Sequence, residues 1–197
     1  MSQYYERKQT SRRKAREIKA VLRNTLFAFV AASGVFSGKR VDAGTRLLVE
    51  TCIVPEKGSV LDLGCGYGVV GIAMKKLFPQ LDVFMVDTNE RAGACAERNA
   101  FINGVVPHIV QGNLYEPVHG MQFDAILVNP PYVAGRKVVF AMLEGAKKHL
   151  KKKGLLQVVA RHQKGGKAIA RKMASIFGNV ADHARSGGYH VYISAHE

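Results

Sequence analysis

The stretch Val60-Leu61-Asp62-Leu63-Gly64-Cys65-Gly66-Tyr67-Gly68 decides the fold. Its first four residues are apolar except for one acid, as in a buried strand, and alternating glycines follow at once. Glycine permits the positive φ of a tight turn and lets a ligand approach the backbone. The apolar pattern beyond the turn predicts a helix to residue 77, so the stretch is the first unit of a parallel α/β sheet.

The same alternation of strand and helix continues to the end of the chain. The predicted strands are residues 60–63, 82–86, 108–111, 123–128, 155–160, 179–184 and 189–194. The other predicted helices are residues 42–52, which Asp42 caps, and residues 90–103, 138–150 and 166–177. We therefore predict an α/β fold, a Rossmann-like, doubly wound, mostly parallel seven-stranded sheet with an antiparallel C-terminal hairpin.

The first forty residues differ in character from the rest. Residues 1–16 are polar and basic and predict a mobile arm, whereas residues 18–22 and 26–30 predict a small N-terminal β-hairpin. We therefore divide the chain into a basic arm and hairpin extension, residues 1–40, and an α/β domain, residues 41–197.

Two kinds of ligand fit the glycine turn. Gly66 to Gly71 reads GxGxxG, and Asp87 lies about 20 residues beyond, as in a dinucleotide site. However, the glycine that directly follows the strand is Gly64. Asp62 lies inside the end of the strand, where an acid favours a cationic amino-acid head over a pyrophosphate. We predict the cationic ligand and keep nicotinamide binding as the alternative.

A second motif, Asn129-Pro130-Pro131-Tyr132, follows the predicted strand 123–128. Ligands of such sheets bind beyond the carboxyl ends of the strands. The prolines fix φ, the Asn129 side-chain oxygen and the Pro130 carbonyl can accept both hydrogens of a planar amine, and Tyr132 can stack on a base. Asn129, Pro130 and Tyr132 are therefore the predicted catalytic residues for transfer to an exocyclic amine or an amide.

The chain carries a net charge of +14, from 29 Lys and Arg against 15 Asp and Glu. This excess predicts a polyanionic partner, with nucleic acid ahead of a membrane surface. The predicted RNA contacts lie in the arm and after the hairpin: Arg12, Arg13, Lys14, Lys39 and Arg40. A second basic cluster covers residues 147–153 and 164–172, and a helix dipole accounts for part of it.

The remaining residue types predict neither a metal site nor export. The three cysteines, Cys52, Cys65 and Cys95, lack metal-ligand spacing and are expected to be small buried hydrophobes in a reducing compartment. The seven histidines form no HxxxH pair. No apolar run is long enough to span a bilayer, and residues 25–32 are poor as a signal segment, so we predict a cytoplasmic protein.

Residues 60–68 resemble motif I of the class I S-adenosylmethionine-dependent methyltransferases. Gly34-Val35-Phe36-Ser37, residues 41–48, this motif and residues 129–132 occur in the order found in the small-subunit rRNA guanine-N2 methyltransferase C family. The resemblance covers about residues 18–197. It implies S-adenosylmethionine as cofactor and transfer of a methyl group to the exocyclic amine of guanine in ribosomal RNA.

The resemblance also implies a set of donor contacts. The glycine-turn backbone would lie along the methionine and ribose of the donor, Asp87 would accept the ribose hydroxyls, Asn113 would accept from the adenine amine, and Thr45 would close over the methionine end. The implied donor contacts are Thr45, Asp62, Gly64, Cys65, Gly66, Gly68, Asp87, Asn113 and Asn129.

Three alternatives remain open from the sequence. Methyltransferases that modify glutamine in release factors also use Asn-Pro-Pro-Tyr, and adenine-N6 methylation of nucleic acid needs the same amine chemistry. A non-enzymatic RNA-binding module could retain the fold, although the intact Asp62, Asp87 and residues 129–132 argue against it.

Overall fold

The computed structural model describes residues 15–32, 40–131 and 135–197. Its strands are β1 (Ala15–Leu22), β2 (Thr25–Ala32), β3 (Gly58–Leu63), β4 (Leu81–Asp87), β5 (His108–Gln111), β6 (Phe123–Val128), β7 (Leu150–Arg161), β8 (Ala181–Ser186) and β9 (Tyr189–Ala195). Its α-helices are α1 (Ala43–Thr51), α2 (Val69–Leu77), α3 (Glu90–Ile102), α4 (Arg136–Ala146) and α5 (Lys167–Phe177). None of the helices within these described ranges is long and apolar enough to cross a membrane.

The seven strands β3 to β9 form one sheet in the order β5-β4-β3-β6-β7-β9-β8. The pairs from β5 to β7 are parallel, and β9 is antiparallel to both β7 and β8. From β3 the chain first adds β4 and β5 on one side and then β6 and β7 on the other. The strand order therefore reverses between β3 and β6, and that switch point opens a crevice for a ligand. The predicted fold class, including the antiparallel C-terminal strands and the separate N-terminal hairpin, is confirmed.

Each face of the sheet buries its own apolar cluster. The hairpin, α1, α2 and part of α3 supply one, with Phe27, Phe29 and Leu48 at most 1% exposed. Helices α4 and α5 supply the other, with Phe123 and Met173 fully buried. Successive side chains of a strand point to opposite faces of the sheet, and the nearly continuous buried runs of β3 and β6 therefore supply both clusters.

Several predicted boundaries are wrong; the strand predicted at residues 179–184, for example, is Ala181–Ser186. The helix predicted to residue 150 ends at Ala146, a 3-10 turn follows, and β7 begins at Leu150. A bulge before Gly154 makes this early start possible, because Lys153 takes a positive φ of 64° and its N–H donates to His196 O at 2.7 Å. At the other end β1 begins at Ala15, so the last two residues of the predicted arm belong to a strand.

The hairpin turns at Arg23 and Asn24, whose φ values are 43° and 58°, as in a two-residue type I′ turn. Arg23 then fixes the turn to the end of α1. Its guanidinium donates to Val49 O at 2.7 Å and Cys52 O at 2.6 Å, two carbonyls that the helix leaves without intrahelical partners. The hairpin is thus attached to the sheet domain, and the proposed division at residue 40 stays a prediction.

Two amide side chains, one on α3 and one at its C-cap, pair with the outer edge of β2. Asn99 Oδ1 accepts from Val30 N at 2.6 Å and its Nδ2 donates to Val30 O at 3.0 Å, while Asn103 makes the matching pair with Ala28 at 3.3 and 2.7 Å. Spaced by four residues, the two amides lie on one helix face and meet alternate residues of the strand. They satisfy backbone groups that would otherwise form an open sheet edge.

We expect Asn99→Ala to lower the free energy of unfolding by about 2 to 3 kcal/mol, because several buried polar groups would lose their partners. Urea unfolding followed by circular dichroism measures the change. The control is Glu97→Ala, an exposed position on the same helix, which should stay within about 0.5 kcal/mol of the parent. Equal effects of the two substitutions would show that the amide ladder does not anchor the hairpin.

Candidate active site

The glycine turn after β3 combines close packing with one open position. Gly64, Gly66 and Gly68 have φ values of 78°, 57° and 94°, a conformation that side chains rarely adopt. A Cβ at Gly68 would lie 2.8 Å from Ile72 and Met85, whereas a Cβ at Gly66 would meet nothing within 4 Å. Gly68 is therefore required by packing, and the backbone at Gly66 faces space that a ligand can use.

The carboxyl of Asp62 lies beneath this turn at the end of β3. It is 2% exposed and accepts a hydrogen bond from Gly71 N, in the first turn of α2, at 2.8 Å. Burial raises the pKa of Asp62 to about 7, and the negative charge of Asp87 adds to that shift. An acid already occupies this helix N-terminus, so the site suits a cationic ligand and disfavours a pyrophosphate.

Asp87 ends β4 on the adjacent side of the crevice. Its two oxygens accept from Gly66 N at 2.8 Å and from Asn89 N at 2.9 Å. Burial raises the pKa of Asp87, against the lowering effect of these backbone N–H groups. The carboxylate is thereby fixed against the turn, and each oxygen keeps a lone pair for a ligand hydroxyl.

Asn129, directly after β6, is held by the N-terminus of α1. Its Nδ2 donates to Thr45 Oγ1 at 2.8 Å and lies 3.5 Å from both carboxylate oxygens of Asp42. Thr45 Oγ1 in turn donates to Asp42, which also accepts from Gly44 N and Thr45 N as the helix cap. The Thr45 hydroxyl has one hydrogen, which goes to Asp42, so it must accept from the amide NH₂. This hydrogen-bond chain turns the Asn129 Oδ1 away from α1.

Asn113 follows Gly112, whose N–H donates to Asp87 O at 3.0 Å and so bonds the loop after β5 to the end of β4. The Asn113 side chain is exposed, and its Nδ2 donates to Glu116 Oε1 at 3.2 Å. This contact leaves the side-chain oxygen on the other side of the amide. An adenine contact by this oxygen stays a prediction.

The other predicted residues divide into placed and undescribed ones. Cys65 is buried in the turn, and burial raises the pKa of its thiol well above the usual value, so it offers only its backbone to a ligand. Pro130 is buried directly after Asn129, and Arg40 is exposed. Cys95 is only half-buried, unlike the buried hydrophobe expected. The predicted residues outside the described part of the chain are Arg12, Arg13, Lys14, Lys39 and Tyr132.

The structure adds a residue and a pair to the site. Asp42 was expected only as a helix cap, yet it also orients the amide of Asn129 through Thr45; the Asp-x-x-Thr spacing was the available signal. The Tyr189 ring packs on Gly44 so closely that a Cβ there would lie 2.8 Å from Tyr189 Cε1. The guanidinium of Arg161 lies over the Tyr189 ring, 4.9 Å from its centroid. No local pattern announces this cross-strand pair.

A compact polar cluster of His162, Asp182 and His190 lies near the carboxyl end of β7. The potential ligand atoms of the three residues are within 4.8 Å of one another. The two imidazole rings are stacked at 4.2 Å with an interplanar angle of 16°, so their in-plane lone pairs do not converge on one ion. Arg185 already contacts Asp182 at 3.0 Å. The geometry favours a hydrogen-bonded cluster over a metal centre, and the predicted absence of metal stays a prediction.

This strand order, with a glycine turn and two acids at the switch point, is the fold of the class I S-adenosylmethionine-dependent methyltransferases, and the family comparison assigns the chain to the methyltransferases. The methyltransferase small domain model matches residues 26–193. The chain belongs to the methyltransferase small domain family. The predicted resemblance and the predicted cofactor are thereby confirmed.

Relatives extend the comparison. "Uncharacterized protein YbxB" of Bacillus subtilis is 38% identical over 191 residues, 95% of each chain. "Ribosomal RNA small subunit methyltransferase C" of Shewanella loihica is 37% identical over 164 residues, which cover 81% of this chain and 46% of the relative. The corresponding protein of Pasteurella multocida is 37% identical over 64% of this chain and 40% of its own length. The chain thus spans less than half of these rRNA methyltransferases.

Among solved structures, the T. thermophilus 16S rRNA N2 G1207 methyltransferase (RsmC), in complex with AdoMet and guanosine, superposes with a TM-score of 0.80. The match covers 93% of this chain and 51% of that chain at 21% identity, so it establishes the shared fold. The residues around the turn suit the donor of this class. Asp62 and Asp87 supply negative charge for a cationic ligand, and Gly66 leaves space beside them.

We expect the affinity for S-adenosylmethionine to rise with pH through about 7. Asp62 is protonated below that pKa and ionised above it, and only the ionised form attracts a cationic ligand, with a limit of about tenfold per pH unit. Calorimetric titration about one unit below and one unit above the pKa measures the change.

Asp62→Asn should bind the donor more weakly and with a flat pH dependence. The control is Glu56→Gln, which removes an exposed acid near the opposite end of β3 and should keep the parent profile. A slope that persists in Asp62→Asn would assign the titration to another group.

Proposed function

We propose that this methyltransferase modifies the exocyclic amine of guanine in RNA, most specifically in small-subunit ribosomal RNA. The observation that carries the proposal is the fixed orientation of the Asn129 amide, whose Nδ2 is held by Thr45 at 2.8 Å. An amide held by its NH₂ presents its oxygen as an acceptor. That oxygen lies directly after β6, beside β3, whose last residue but one is Asp62, so acceptor and donor would meet at one crevice.

The chemistry requires positioning rather than a strong base. S-adenosylmethionine, when bound, supplies a methyl group on a positively charged sulfur. Asn129 Oδ1 and the Pro130 carbonyl would each accept one hydrogen of the substrate amine, so that the nitrogen lone pair is directed away from both. After transfer the nitrogen loses one of these hydrogens as a proton. Asp62 and Asp87 would hold the cationic donor in place.

The choice of RNA rests on charge and on relatives. A net charge of +14 suits a polyanionic substrate, and the curated relatives at 37% identity are named as rRNA methyltransferases. Arg12, Arg13, Lys14, Lys39 and Arg40 are proposed to contact the phosphates, and Tyr132 to stack on the target base. The alternative substrates are a glutamine side chain in a release factor and the exocyclic amine of adenine.

The substrate can be identified by nucleoside mass spectrometry of RNA from cells with and without the gene. We expect N2-methylguanosine to fall in the small-subunit RNA of the deletion strain, and to return with the parent gene but not with Asn129→Ala. Loss of N6-methyladenosine, or of methylated glutamine in a release factor with unchanged RNA, would contradict the guanine assignment.

The hydrogen-bond chain at α1 predicts a specific effect of Thr45→Val. Removing the hydroxyl frees the Asn129 amide to rotate, and we expect kcat to fall roughly tenfold to hundredfold with little change in donor affinity. Thr45→Ser keeps the hydroxyl and should retain most of the turnover. Single-turnover methyl transfer and calorimetry with S-adenosylmethionine measure the two quantities separately.

The same experiment tests the donor contact first predicted for Thr45. If Thr45→Val weakens S-adenosylmethionine binding as much as it lowers turnover, Thr45 contacts the donor and does not act through Asn129. A Thr45→Ser variant as slow as Thr45→Val would likewise remove the positioning role.

A further inference from the structure

The basic cluster of the C-terminal half is divided between two opposite edges of the sheet. β7 is parallel to β6, so its last residue, Arg161, lies at the same edge as Asn129. Residues 147–153 lie at the other edge, where β7 begins. From Gly154 to Arg161 the strand rises about 23 Å at about 3.3 Å per residue. Of the cations in this cluster, those at and after the end of β7 therefore lie at the same edge as the candidate acceptor site.

Part of the charge at the far edge stabilises the fold. Lys147 Nζ donates to Ile176 O at 3.1 Å, near the end of α5, and Lys151 pairs with Asp124 at 2.7 Å. Lys148, Lys152 and Lys153 are exposed there. Sequence proximity alone had placed these lysines in one cluster with residues 164–172.

At the near edge, Arg161 is linked to the candidate acceptor site by a single aromatic ring. Its guanidinium lies 4.9 Å from the centroid of Tyr189, and that ring packs against Gly44. Gly44 precedes Thr45, which holds the amide of Asn129. A phosphate bound at Arg161 would therefore lie beside a base whose amine is held by Asn129.

The opposite face of this edge carries a groove of about 350 Å³ between α5 and the strands β8 and β9. Its lining includes His162, Lys167, Arg171 and the ring of Tyr192. Lys164 is exposed in the turn that leads to it. Within the described part of the chain, the side chains of Lys164, Lys167 and Arg171 form no ion pair or hydrogen bond, so their charges are available to a ligand.

The one acid of the groove lining, Asp182, is already matched by cations and hydrogen-bond donors. Arg185 contacts its Oδ2 at 3.0 Å, and His190 Nδ1 lies 2.9 Å from the same atom. The residual charge of the groove is therefore positive. An anion of modest size that also tolerates an aromatic ring fits this lining.

We propose that Arg161, Lys164, Lys167 and Arg171 form a strand-end basic surface that binds the phosphates of the RNA flanking the target nucleotide. The inference rests on the proposed function, since it uses the acceptor site to select RNA among polyanions. Phosphate contacts of this kind fix the register of a nucleic acid without reading its sequence. The surface would thus present the target base to Asn129.

The test compares two triple variants that each remove three positive charges. The first, Lys164→Gln, Lys167→Gln and Arg171→Gln, acts at the strand-end basic surface; the matched control, Lys148→Gln, Lys152→Gln and Lys153→Gln, acts at the far edge. Fluorescence anisotropy with a labelled RNA hairpin carrying guanines in its loop gives affinity as a function of salt. Calorimetry with S-adenosylmethionine verifies that each variant keeps a folded donor site.

We expect the first variant to bind the hairpin at least about tenfold more weakly and to lose about two to three from the slope of log affinity against log salt. The control should keep most of the affinity and slope. Equal losses in both variants, or none in either, would overturn the proposal. If the first variant instead kept its affinity for the hairpin but lost affinity for anionic phosphatidylglycerol vesicles, the surface would be reassigned to membranes. That result would also overturn the proposal.

The outcome is separable from the proposed function. If the parent binds the hairpin through this surface but methylates no guanine in any RNA, the substrate proposal fails and the surface assignment stands. If guanine is methylated while the two triple variants bind the hairpin equally well, the surface assignment fails and the proposed reaction stands.

Discussion

Parallel pairing of β3 with β4 and β6 is the constraint on which the rest of the site depends. Parallel strands all end at the same edge of the sheet, so residues far apart in the chain are collected there. Asp62 lies at the end of β3, Asp87 ends β4 and Asn129 follows β6. After adding β4 and β5 on one side of β3, the chain adds β6 on the other side. The crevice, its acids and its amide are consequences of that order.

The positions of the candidate site residues were predictable where a single segment of the chain contains the whole motif. The glycine turn and the acid before it carry their own signal, and the distance to Asp87 follows from one βα unit. Asn129 was predictable for the same reason, since a strand and two prolines define its position. The fold class followed because short apolar strand patterns alternate with helix patterns along the chain.

What the sequence did not predict depends on contacts across long separations. Thr45 meets Asn129 over 84 residues, so the Asp-x-x-Thr spacing indicates a helix cap and its contact with Thr45 but not the contact with Asn129. β7 begins at Leu150 because the chain end, through His196, pairs with Lys153; no helix-stop signal precedes it. The stack of Arg161 on Tyr189 needs the antiparallel register of β7 and β9. In each case the deciding partner lies in another element.

The side chain of Asn99 connects two parts of the molecule that the sequence treats as independent. One hydrogen of its amide goes to Val30 of the hairpin and the other to the carbonyl of Tyr67 in the glycine turn, at 3.0 and 2.8 Å. The ring of Phe29 on the hairpin also meets that of Tyr67 edge-on at 5.9 Å. The hairpin is therefore a structural wall of the donor turn. A family member that lost it would leave Asn99 and Tyr67 without their hairpin partners, so these two positions are expected to change together with the hairpin in evolution.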